Sequence, residues 1–139
     1  MIMLRKTGAM KKMNGKMMMN KIAFQDLFEA QTSFQNILIN KGFYERFREF
    51  GTIKTPVDDV KLASYHIQQL VSEIGEILNA DKRWKSHRND RYDEQEKLEE
   101  IADCFIVLMN VAMFSGFNGD VIAEAIKSKL DKNIKRISE

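Results

Sequence analysis

Cysteine and proline are nearly missing from this chain: among 139 residues there is one of each, Cys104 and Pro56. A lone cysteine excludes an intrachain disulfide, and the run FIVLM that follows it marks a buried apolar thiol rather than a nucleophile. Such cysteine usage points to a reducing, cytoplasmic setting. Long hydrophobic runs are missing too. No segment approaches the ~20 apolar residues that span a bilayer, and the methionine-rich start is broken by Lys and Asn before a signal-peptide core could form. No membrane role is expected. Only two histidines are present, His66 and His87, and neither stands in a metal-ligand spacing. In the basic N-terminal segment no aromatics are interleaved with the Lys and Arg residues, so the footprint of a nucleic-acid binder is absent there.

What is present describes an ordinary globular chain, 44% hydrophobic and 30% charged, of a size for one domain with a core. The formal charge of +2 conceals a division. Residues 1–21 carry six of the 22 basic side chains and no acid, which leaves 16 basic against 20 acidic residues in the body. The basic, Met-rich segment 1–20, with methionines at 10, 13, 17, 18 and 19 as alternative starts, reads as a disordered or mis-started tail. Residues 21–139 read as the folded domain.

Four helices are expected in that domain. The first spans about Lys21 to Asn40, with Phe24, Leu27, Phe28, Phe34, Ile37 and Leu38 near a helical repeat. The aromatic connection from Lys41 to Thr55 contains a short helical turn, and its part from Phe43 to Phe50 suits a subunit interface. Thr55 and Pro56, followed by Asp58, start a second helix that runs to about Asn79. Its apolar stripe is Ile67, Leu70, Val71, Ile74, Ile77 and Leu78; Gln69, Glu73, Glu76 and, less centrally, His66 flank it. A polar loop rich in Arg and Lys follows. Asp93 with Glu96 caps a third helix, about 94–115, which Gly116 closes. That helix is apolar nearly all round, interrupted only by Glu96, Glu100, Asp103 and Asn110, and is therefore expected to be buried with its polar side on an interior site. A fourth helix runs from Asn118 or Gly119 to about Ile137, with Ile122, Ile126, Leu130, Ile134 and Ile137 inward. No β pattern or internal repeat stands out.

Two carboxylate pairs carry the chemistry. Glu73 and Glu76 in SEIGEIL, and Glu100 and Asp103 in EEIADCFIVLM, are each spaced i, i+3, so both side chains of a pair leave one helix face about a turn apart. Carboxylates clustered beside an apolar stripe cost several kcal/mol unless a counter-charge neutralises them. Oxygen-only ligands suit one or two hard divalent cations, Mg²⁺ or Mn²⁺, and point away from zinc. The plainer reading is a set of surface acids paired with the basic loop, which fits Glu94, Glu96 and Glu99 better than Asp103. Lys129, Lys132, Asn133 and Arg136 share one face of the fourth helix and suit a polyphosphate; cations in the last turns of a helix also complement its dipole. Trp84 and the phenylalanines of the first helix serve either as core and interface or as base-stacking platforms.

Across HIQQLVSEIGEILNADKRWK, KLEEIADCFIVLMNVAMF and KLDKNIKR the chain resembles the all-α nucleoside triphosphate pyrophosphohydrolases, the MazG-like proteins and dimeric dUTPases. Their signature is ExxE, a spacer of some twenty residues, ExxD, and a Lys-Asn and Arg cluster on the next helix. Glu73xxGlu76, Glu100xxAsp103 and Lys132-Asn133xxArg136 match it in order. The resemblance covers about residues 20–139. It implies an all-α, antiparallel bundle of four to five helices completed by dimerisation. It also implies a Mg²⁺ site on the four acids (Mn²⁺ as the substitute), and a homodimer or homotetramer hydrolysing a nucleoside triphosphate to monophosphate and pyrophosphate. It makes Glu73 or Glu76 the base that orients water, and gives Lys132, Asn133 and Arg136 the leaving pyrophosphate, with Lys129 on the same face. Gln31 on the first helix would read the base, Trp84 being a stacking candidate by residue type alone, and dUTP or another pyrimidine deoxynucleotide would be the substrate. The glycine- and tyrosine-containing C-terminal extension of those dUTPases has no counterpart before Glu139. Two rivals remain. A di-iron carboxylate bundle carries Glu-x-x-His on two helices, and neither pair here is followed by His. A helical interaction or regulatory protein with a structural acid cluster would have no need of Mg²⁺.

Overall fold

The computed structural model describes residues 10–13, 16–19, 21–44 and 57–139. The domain is all-helical, with four helices: α1 Phe24–Asn40, α2 Val57–Ala80, α3 Glu94–Phe114 and α4 Gly119–Ser138, plus a single 3₁₀ turn Lys82–Trp84. Ahead of α1, β1 (Met10–Met13) and β2 (Lys16–Met19) pair antiparallel, Met10 opposite Met19 and Met13 opposite Lys16. This ribbon is a departure from the expected absence of strands. Four-residue strands are too short to show an alternating pattern against a Met and Lys background. The helix start expected at Thr55 and Pro56, and most of the segment Phe43 to Phe50, lie outside the described residues.

Caps and glycines set the helix ends. α1 and α3 both finish in the same motif. Gly42 (φ 76°) and Gly116 (φ 87°) take the left-handed conformation; Phe43 N–H then donates to Leu38 O and Phe117 N–H to Ala112 O, each at 3.0 Å, so orphan carbonyls at both ends are satisfied. Asp93 accepts from the N–H groups of Gln95 (2.9 Å) and Glu96 (3.2 Å) at the start of α3, and Asn118 accepts from Val121 N–H (3.0 Å) at the start of α4.

α2 and α3 form an antiparallel hairpin, as the meetings of Asp81 with Lys97 and of His66 with Phe114 require. Asp81 ties the connecting loop down: its carboxylate accepts from Arg83 Nε and Nη2 (2.7 Å each) and from Lys97 Nζ (2.6 Å), while the Arg83 guanidinium lies 3.4 Å from the centre of the Tyr92 ring. α1 packs against α3, and α4 rests on α1. The approach of α4 is close at its first residue, where a Cβ on Gly119 would lie 2.9 Å from Gln25 Cα and 3.0 Å from a ring carbon of Phe28.

Among the described residues the fully buried apolar side chains are few: Phe28, Leu62, Ala63, Ala80 and Val107. Most of the stripes expected to be core lie open in the single chain. Ile67, Val71, Ile74 and Leu78 on α2, Ile126, Leu130, Ile134 and Ile137 on α4, and Leu98, Phe105 and Leu108 on α3 are all exposed, Phe105 at 61%. α3 is therefore not buried all round as its composition suggests. Periodicity identifies the apolar face of a helix; it does not say whether the same chain covers it.

Candidate metal centre and polar pocket

Facing turns of the α2–α3 hairpin bring three acids together. Carboxylate oxygens of Glu73, Glu100 and Asp103 lie within 4.8 Å of one another, the first two half-buried and the third exposed. Glu76, one turn beyond Glu73, is exposed and stands outside this triad, though it adds to the field there. Burial first, then the charges of Asp103, Glu76, Glu73 and Glu96, push the Glu100 carboxyl above its ordinary range. The Cys104 thiol is raised likewise by burial and by Glu73, Asp103 and Glu100, so it is a protonated neighbour of the acids and not a nucleophile. The influences that set Glu100 apart are all unfavourable to its charge. Such a donor set fits a hard divalent cation that prefers oxygen ligands.

A pocket of about 370 Å³ opens directly beside the triad; Glu73 and Asp103 line it, with Gln31, Gln35, His66 and Asn110 among the other lining residues. Those last four are 9% exposed or less. Buried polar side chains are costly without partners, and here they are linked. Gln31 Nε2 (2.8 Å) and Gln35 Nε2 (3.2 Å) both donate to Asn110 Oδ1, Tyr44 O–H donates to Gln35 Oε1 (2.6 Å), and His66 faces Tyr44 through Nε2 (3.4 Å) and Gln69 Oε1 through Nδ1 (3.0 Å). The His66 ring stacks on Phe114, centroids 5.3 Å apart and planes 7° from parallel. Burial pulls the imidazole below its ordinary range, with the Gln69 hydrogen bond opposing, so the ring is neutral near pH 7.

Of the residues singled out in the sequence, Gln31 reaches this pocket and Trp84 does not. Trp84 is exposed, donates Nε1–H to Leu78 O (3.3 Å) and lines a separate depression of about 490 Å³ with Ile77, Asp81, Arg83 and Lys97. The indole belongs to the loop that Asp81 fastens, and the depression that it lines does not include Gln31. Lys129, Lys132, Asn133 and Arg136 lie on α4, which packs on α1. None of them lines the polar pocket, and among the described residues none pairs with an acid of the triad. Gln35 and Tyr44 were not picked out from sequence; Gln69 and Asn110 were placed on polar helix faces without a role, and His66 carried little signal. Asn110 stood out because an amide inside IVLMNVAMF is as out of place as Asp103 one helical stretch earlier. Tyr44 gave no signal, because it belongs to a connection.

Compared with protein-family models, with curated proteins and with solved structures, the chain matches none.

Proposed function

We propose that this chain is a Mg²⁺-dependent nucleoside triphosphate pyrophosphohydrolase of the MazG-like or dimeric dUTPase-like kind. Its substrate is dUTP or another pyrimidine deoxynucleoside triphosphate, its products the monophosphate and pyrophosphate, and its setting the cytoplasm. The observation that carries this reading is the juxtaposition of three converging carboxylates with a pocket walled by buried amides: a place for a cation and phosphates beside a place for a polar planar ring.

Glu73, Glu100 and Asp103 would hold Mg²⁺, with Mn²⁺ as a substitute. A bound divalent cation neutralises charge on the polyphosphate and orients it. Glu76, close to the triad yet exposed, accepts the proton of the attacking water at a carboxylate oxygen and orients it toward the α-phosphorus. The amides of Gln31 and Asn110 fix the base and so register the α-phosphate against the acids. Lys129, Lys132, Asn133 and Arg136 stabilise the leaving pyrophosphate. Since α4 does not bring them to the acids of its own chain, we assign that part to the α4 of a second copy, in a homodimer or homotetramer whose contacts also cover the open stripes.

The test is a panel of ribo- and deoxynucleoside triphosphates with Mg²⁺, assayed separately for pyrophosphate and orthophosphate. Pyrophosphate and a nucleoside monophosphate are expected, with pyrimidine deoxynucleotides preferred. Accumulation of a nucleoside diphosphate would overturn the reaction. The open apolar faces also suit a helical regulatory protein, and complete inertness toward the panel with unchanged stability in Mg²⁺ would favour that reading.

A further inference from the structure

Residues 82–92, KRWKSHRNDRY, hold five cations, Lys82, Arg83, Lys85, Arg88 and Arg91, against the single acid Asp90, with Trp84 and Tyr92 set among them. Taking these from the 16 basic and 20 acidic residues of the body leaves 11 basic and 19 acidic elsewhere. The loop is thus a positive island on a negative domain.

Its shape is fixed from both ends. Asp81 accepts from Arg83 and Lys97, Asp93 caps α3, and Arg83 lies against the Tyr92 ring, so the start of the loop is tied to its end. The Trp84 indole is anchored by its Nε1–H on Leu78 O. It is nevertheless 61% exposed, and it lines the depression of about 490 Å³ whose apolar part is Ile77 and Leu78. A large ring that is both rigid and open offers stacking area that its own chain does not use, and little conformational freedom is lost when a second ring lies on it.

The cations around the indole can turn to an anion. Lys82 opens the 3₁₀ turn and Lys85 follows it, with Lys85 Nζ 5.1 Å from the centre of the indole, and among the described residues neither pairs with an acid. Arg88 and Arg91 do pair, with Asp90 at 3.0 Å and Asp93 at 3.7 Å, but both arginines are exposed, where such pairs contribute little and a phosphate competes readily. A charged backbone that carries planar rings meets both halves of this surface. An anionic lipid headgroup brings the charge without a ring, and a duplex keeps its bases stacked inside.

We propose that the fastened α2–α3 loop binds single-stranded nucleic acid, one base stacking on Trp84 in the depression and the flanking phosphates lying on Lys82 and Lys85, with Arg88 and Arg91 adding charge along the same loop. Nothing in the site reads a base edge, so binding is tolerant of sequence. The site shares no residue with the acid triad or the polar pocket and does not depend on the triphosphate reading.

Trp84 is the only tryptophan in the chain, so intrinsic fluorescence reports on this loop alone. The full chain, without metal and at low salt, is titrated with an oligothymidylate of about 12 nucleotides, within the span of a small single-strand site. Saturable quenching is expected. Binding should weaken with salt at a log–log slope of about −2, the value for roughly three phosphates neutralised on a single strand. Followed by anisotropy of a labelled strand, affinity should fall roughly tenfold or more in Trp84→Ala and be largely kept in Trp84→Phe. The double substitution Lys82→Ala and Lys85→Ala, which leaves the Asp81 fastening untouched, should weaken binding and flatten the salt slope; it carries the test should Trp84→Ala not fold. dUMP should not displace the strand. Absence of binding at low salt, unaltered affinity in the folded variants, equal quenching by dextran sulfate, or displacement by dUMP would each overturn the proposal. So would a Trp84 signal that changes with protein concentration alone, which would give the depression to a second copy, or quenching by phosphatidylserine vesicles and not by the strand, which would give it to a lipid surface.

Discussion

The surroundings of Glu100 oppose its own charge: it is half-buried, with Asp103, Glu76, Glu73 and Glu96 about it. A carboxyl whose folded-state pKa is raised binds its proton more tightly in the native chain than in the unfolded one. Its stabilising contribution is complete below the ordinary glutamate value near 4.5 and is lost as pH rises through the raised folded value. The metal-free chain should therefore lose melting temperature across that window, Glu100→Gln should lose less, and Mg²⁺ should raise the unaltered chain and not the variant. Superimposable melting profiles of the two proteins, with and without Mg²⁺, would remove Glu100 from the site. The acids were legible in the sequence because a charge set in an apolar helix needs a reason, and the structure brings three of the four within reach of one point. Asn110 obeyed the same logic: read on the polar side of the third helix, without a role, it lines the pocket. Trp84 was offered as a base-stacking platform on its residue type alone; nothing in the loop sequence says that its indole is held by the Leu78 carbonyl, because that contact depends on how Asp81 folds the loop back.

At the scale of the helices, Asp81 closes the α2–α3 hairpin and so sets the register that opposes Glu73 to Glu100 and Asp103. Hydrogen bonds from Arg83 first and Lys97 second hold its carboxyl well below the usual aspartate range. A depressed carboxyl contributes stability above its unfolded value, near 3.8, and that contribution fades as pH falls from there toward the folded one. Asp81→Asn should lower the melting temperature at neutral pH, and the difference from the unaltered chain should shrink in acid below that value. An equal difference at every pH would mean that the clamp acts through packing alone. Helix ends at Asn40, Asp93, Gly116 and Asn118 could be read directly, since caps and glycines act within a few residues. The β1–β2 ribbon and the packing partner of α4 could not, because both depend on contacts that no local pattern encodes. Arg136→Ala separates two roles of α4. If Arg136 holds the leaving pyrophosphate, kcat/KM falls by roughly 10² with little change in stability. A stability cost of at most about 1 kcal/mol with unchanged kinetics would leave only the helix dipole.

For the molecule as a whole, the open stripes on α2, α3 and α4 are what the proposed homodimer or homotetramer would cover. Light scattering should give a dimer or tetramer. The double substitution Leu130→Glu and Ile134→Glu should shift it toward monomer and cost activity, with the helical content of the monomer retained. An unaltered monomer from the start would confine the site to one chain and detach the α4 cations from it. Among the described residues no single helix is long and apolar enough to cross a membrane.

At Gly119, its first residue, α4 approaches Gln25 and Phe28 of α1 closely, while Ile126, Leu130, Ile134 and Ile137 farther along the helix are exposed. A rod pinned near one end multiplies any tilt along its length. Arg136 is seventeen residues on, about 25 Å at the rise of an α-helix, so a rotation of about 10° at the pin carries it some 4 Å. That is the difference between a guanidinium on a phosphate oxygen and one a solvent layer away. Under the proposed function, the placement of the cations would then be decided less by the contact with Gln25 and Phe28 than by whatever seats the far end of α4, and catalysis would answer to assembly.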